Sequence, residues 1–109
     1  MGVSVTIFKV KKETDADLSD LVFTTGVLPV VKLVKEWIGK DSGDLMIIPK
    51  ESNKYLKDLE KLLSAFLDLE IVDLHDHINI LYSITSMHYN LRTVGQKNIH
   101  YSHYHINLS

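Results

Sequence analysis

Histidine and tyrosine crowd the last third of the chain, where His77, His88, His100, His103 and His105 occur with Tyr82, Tyr89, Tyr101 and Tyr104. All 14 acidic residues precede His77, together with 10 of the 12 basic ones. Residues 1–76 therefore carry a formal charge of 10 − 14 = −4, and residues 77–109 carry +2 from Arg92 and Lys97. Imidazole changes charge close to neutral pH and ligates borderline metals such as zinc. Tyrosine, asparagine, serine and histidine also join apolar bodies to donors and acceptors, which suits an adaptable contact surface.

His103 and His105 are two residues apart, so on a strand both rings point to one side with Ile99, Tyr101 and Asn107. Such a pair can chelate a metal if a third ligand arrives. His77 and His88 share a helix face but stand roughly 16 Å apart along the axis, too far to bind one ion. If the strand folds back along the helix, rises of about 3.3 Å and about 1.5 Å per residue bring His105 level with His77. The metal set expected on this reading is His77, His103 and His105, with Asp73, Asp76 or Asn107 in support and zinc or a similar divalent ion as cofactor. The leading expectation is different: no cofactor, and a binding face made of Arg92, Tyr101, His103 and His105.

Gly95-Gln96 followed by His100, His103 and His105 resembles the Gly-Gln and alternating-histidine signature of the histidine triad nucleotide hydrolases. The likeness is confined to residues 95–109. The same-side positions read Tyr101, His103, His105 and Asn107, out of that family's register, so no catalytic histidine is carried over. There is no phosphate-cradling glycine loop, no Gly-x-Ser-x-Gly elbow and no His-Glu-x-x-His helix. His75, Asp76 and His77 are neighbours in sequence, but consecutive helical side chains diverge around the axis.

The elements that would position these groups follow from periodicity. Val3, Val5 and Ile7 alternate with Ser4, Thr6 and Phe8, predicting a strand over 3–10. The acidic stretch from Glu13 to Asp20 offers helix caps, predicting a short helix around 16–23 that Thr24-Thr25-Gly26 ends. Pro29 in a first turn, the stripe of Val30, Val31, Val34, Trp37 and Ile38, and Gly39 define a second helix. Leu45 to Ile48, bounded by Gly43 and Pro49, reads as a buried strand. Ser52 or Asn53 caps a helix that presents Leu56, Leu59, Leu62, Leu63, Phe66 and Leu67 along one face. Asp73 and Asp76 open a long helix over 74–92 that Gly95 ends, and residues 99–108 form a terminal strand.

The expected fold is thus α/β, one small domain over 1–109 in the order strand, helix, strand, helix, helix, strand. Its sheet is three-stranded and mixed, with a parallel first pair joined by a right-handed crossover and helices packed on it. Exposed sheet edges and the apolar side chains Ile80, Ile84 and Met87 of the long helix suggest a homodimer.

Composition sets the remaining bounds. The chain has 109 residues, 45% hydrophobic and 24% charged, the proportions of an ordinary folded domain. With no cysteine, disulfides, thiolate metal sites and a cysteine nucleophile are ruled out. The alternating start is unlike a secretory signal, and no apolar run is long enough to cross a bilayer, so a cytoplasmic location without membrane contact is expected. A formal charge of −2 and a pI near 6.3 disfavour nucleic acid. The function expected is a small non-enzymatic interaction module, of inhibitor, immunity or mobile-element accessory type, that meets a protein partner through its C-terminal strand. The alternative is a small metal- or histidine-dependent hydrolase of a nucleotide or phosphodiester.

Overall fold

The computed structural model describes residues 3–11, 19–67, 74–94 and 101–109. Within them the order is β1 (Val5–Lys11), β2 (Ser19–Thr25), α1 (Leu28–Ile38), β3 (Gly43–Ile47), a 3-10 turn (Pro49–Glu51), α2 (Ser52–Leu67), α3 (Leu74–Val94) and β4 (Tyr101–Leu108). The fold is α/β, with a four-stranded sheet in the order β2-β1-β4-β3, antiparallel at every step.

Two expectations need correction. The segment expected as a short helix around 16–23 is β2 from Ser19 onward; residues 16–18 lie outside the described part. Leu21, Val22, Phe23, Thr24 and Thr25 are β-branched, aromatic or aliphatic, and pairing with β1 outweighs the capping potential of the acids before them. The register shifts between Ile7 and Phe8, which pair with Phe23 and Leu21, so Val22 is the extra residue of a bulge. That bulge breaks the alternation by which a strand is recognised. The second correction is that the sheet is neither three-stranded nor mixed: β4 inserts between β1 and β3, and the expected parallel pair is never formed.

Alternation along the strands sorts the sheet into two faces. Val5 and Ile7 of β1, Ile47 of β3, and Tyr104, Ile106 and Leu108 of β4 are fully buried on one face. They meet Val30, Val31 and Val34 of α1 and Ile84, Met87 and Leu91 of α3 in one core. α1 starts at Val27, whose carbonyl accepts from Val31 N–H at 3.0 Å, and stops at Gly39, whose φ of 78° a residue with a Cβ adopts at a cost. The Thr25 and Ser83 hydroxyls, 2.9 Å apart and buried, tie β2 to α3.

α2 lies against α3 and is tied to α1 by Trp37, which donates from Nε1 to Asp58 Oδ2 at 2.9 Å and packs edge-on against Tyr55. Leu59 of α2 is fully buried, whereas Leu63 and Phe66 are half-buried and Leu67 is 60% exposed. α3 spans what its periodicity predicts. Its apolar side chains are sorted differently from the dimer expectation, because Ile84 and Met87 are fully buried in the core and Leu74, Ile78, Tyr82 and Tyr89 are the exposed ones. Among the described residues, no helix is long and apolar enough to cross a membrane.

Candidate functional site

Each buried β4 residue has a neighbour on the other face, and His103, His105 and Asn107 are those neighbours. They are half-buried, on a sheet surface that α1 and α3, both packed on the opposite side, leave open. Register carries this surface across all four strands. Leu21, Phe8, His105 and Met46 form one row, and Thr24, Thr6, Asn107 and Asp44 form the next. Leu21 is 64% exposed and Met46 56%, so the row has apolar ends and an aromatic centre. The Phe8 and His105 rings stand 6.2 Å apart at a 48° tilt.

Asp44 gives the face its polar anchor. Its Oδ1 accepts from His105 Nε2 at 2.7 Å and from Asn107 Nδ2 at 2.9 Å. The two hydrogen bonds, first from Asn107 and then from His105, together with the His105 charge hold the Asp44 carboxyl below its usual range against a smaller opposing effect of desolvation. His103 is held below the usual imidazole value, first by partial burial and then by the His105 charge. Donating from Nε2 to Asp44 Oδ1 ties the His105 ring to the neighbouring polar row. The face thus sets an imidazole tied to a carboxylate beside the Phe8 ring.

The expected site residues divide between two regions. His103 and His105 share the open face. His77, in the first turn of α3, belongs to the helical layer on the other side of the sheet, so the set His77, His103 and His105 does not assemble. Among the described residues, no three His, Cys, Asp or Glu side chains are grouped to hold a metal. Tyr101 pairs with Lys11 through the backbone, and its side chain lies outside the described part of the chain, as do Asp73 and His100. Arg92 is on α3, where its guanidinium lies over the Tyr89 ring at 5.6 Å.

Arg92 and Tyr89 belong to a second region, a cleft of about 320 Å³ between α2 and α3, lined by Glu60, Leu63, Thr85, His88, Tyr89 and Arg92. His88 Nε2 is buried there without a hydrogen bond, 3.5 Å from Glu60 Oε1. Sequence reasoning found His105 and His103 from their spacing but not Asp44, Phe8, Leu21 or Met46. Those four join the face only through strand register, which no local pattern encodes. The chain matches no protein-family model, no curated protein and no solved structure.

Proposed function

We propose that this chain is a non-enzymatic protein-interaction module that works through the open face of its sheet, and that the face receives a second copy of the chain. The observation that carries the reading is the row Leu21, Phe8, His105, Met46, which crosses every strand and has no described helix on it. Its order, aliphatic, aromatic, aromatic, aliphatic, reads alike from either end. A two-fold axis running along the strands between β1 and β4 sets Phe8 of one copy against His105 of the other and Leu21 against Met46, the self-complementarity of an isologous interface. Two sheets packed about 10 Å apart accommodate such side chains.

Area decides the strength. Four strands about 4.8 Å apart and about 20 Å long present roughly 400 Å² in projection, about half of the ~800 Å² per partner in stable complexes. The dimer is therefore reversible, forming at micromolar concentrations and above. Sedimentation of the full chain across a concentration series tests this, with Met46→Glu and Leu21→Glu as the disrupting variants. Both side chains are exposed, so each variant folds and sediments as a monomer where the wild type dimerises. A wild type that stays at 12.5 kDa at several hundred micromolar overturns self-association, and so does a dimer that both variants retain.

A further inference from the structure

We infer that the cleft between α2 and α3 is a binding site for a small anionic polyol, a ligand with a carboxylate or phosphate at one end and a hydroxyl about a helical turn away. The site is separate from the open sheet face and does not depend on it. Thr85, His88, Tyr89 and Arg92 follow one another at intervals of three, one and three residues on one side of α3, and Glu60 and Leu63 face them from α2. The cleft's volume of about 320 Å³ lies at the small end of the ~300–1,000 Å³ range of ligand pockets, so the occupant is small.

The chemistry of the ligand follows from the groups that the protein leaves unfinished. His88 Nε2 is buried with no hydrogen-bond partner, which proteins tolerate chiefly where something else completes the bond. Glu60 Oε1, at 3.5 Å, is beyond the ~3.2 Å limit of a good N–H···O bond. With a turn of the His88 ring that brings Nε2 out to the cleft, one ligand hydroxyl accepts from the imidazole and donates to the carboxylate, because a hydroxyl does both at once.

Arg92 is the second unfinished group. Among the described residues no carboxylate forms an ion pair with it, and its guanidinium lies over the Tyr89 ring, 5.6 Å from the ring centre. A guanidinium held over a ring by cation–π attraction still has N–H donors for a carboxylate or phosphate. Arg92 is four residues from His88, about 6 Å further along the helix axis. Glu60 stands at the His88 end and repels an anion there, so the ligand enters in one orientation. Leu63 and the Tyr89 ring flank its carbon skeleton.

The test is a titration of the full chain followed by NMR at the His88 ring, using gluconate and ribose 5-phosphate as probes and ribose and inorganic phosphate as controls. The expected result is a saturable shift of the His88 signal, confined to cleft residues, with at least one probe. A response to gluconate identifies a carboxylate ligand and a response to ribose 5-phosphate a phosphate ligand. Arg92→Gln raises the half-saturating concentration by about tenfold, and His88→Leu removes binding while leaving the melting temperature equal or higher. The proposal is overturned if both probes leave His88 unmoved, or if ribose or inorganic phosphate alone binds as tightly as its conjugate. Unchanged binding in Arg92→Gln also overturns it, as does a melting temperature several degrees lower in His88→Leu, which makes the ring a packing residue.

Discussion

His105 Nε2 reaches Asp44 Oδ1 at 2.7 Å diagonally across β4 and β3, although 61 positions separate the two residues in the chain. Diagonal pairs of this kind lie within reach of long side chains on one sheet face. Asp44 keeps its proton less readily in the folded state than in the unfolded chain, because Asn107 and His105 bond its ionised form. Its contribution to stability is therefore complete above the usual value of 3.8 and is lost as pH falls through the lowered folded value.

Asp44→Ala tests this linkage. The pair is exposed, 42% at His105 and 59% at Asp44, so screening holds the loss at neutral pH to about 0.5–1 kcal/mol. Melting curves of variant and wild type converge below pH 3.8. A constant gap from pH 7 to 2.5 refutes the assignment.

His103 gives the same slope in a higher window. Its folded pKa is lowered by burial and by the His105 charge, so the unfolded chain takes up the proton first as pH falls below 6.5. Stability from this group is then full above pH 6.5 and declines beneath it. His103→Gln should show a flatter decline in melting temperature than wild type between pH 7 and 5. Parallel curves for the two proteins would rule the effect out.

Burial ranks two leucines on α2. Leu59 is fully buried and Leu63 half-buried, so Leu59→Ala costs about 2–5 kcal/mol through lost transfer energy and a cavity, and Leu63→Ala about half as much. Urea unfolding of both variants checks the order. Equal losses would contradict the arrangement of α2 against α3.

The Thr25 hydroxyl meets Ser83 Oγ at 2.9 Å and accepts from Val27 N–H at 3.2 Å. Thr25→Val strands two polar groups at once and costs about 1–3 kcal/mol, whereas Ser83→Ala leaves Thr25 its backbone partner and costs about 1 kcal/mol or less. Calorimetry of the two variants measures the difference. A Ser83→Ala loss as large as that of Thr25→Val would be inconsistent with this geometry.

Helix boundaries were legible where one chemical signal marked each end. Pro29 and Gly39 frame α1, and the apolar and polar residues of 74–92 lie within α3. β2 was illegible because its bulge at Val22 interrupts the period of two that reveals a strand. Strand order was illegible for another reason: β4 belongs between β1 and β3 only because all three bury Val5, Ile47 and Ile106 on one side, a condition that no short window contains. The candidate site divides in the same way. Spacing put His103 and His105 on one face, while Asp44 and Phe8 needed the pairing of distant strands. That Ile84 and Met87 face the core is not legible in sequence, because one amphipathic stripe does not say which of two apolar arcs on α3 is buried.

The central position of β4 has a consequence for how the chain acquires its structure. Synthesis runs from β1 to β4, and the strand completed last is the one that joins β1 to β3. Until residues 101–108 leave the ribosome, the β1–β2 hairpin and β3 have no strand between them, and β1 and β3 each present an unsatisfied edge. Closing Val5 onto Leu108 joins residues about a hundred positions apart, and pairings of such high contact order slow folding. The sheet therefore stays incomplete until β4 is made, and the nascent chain is most vulnerable to aggregation and proteolysis during that interval.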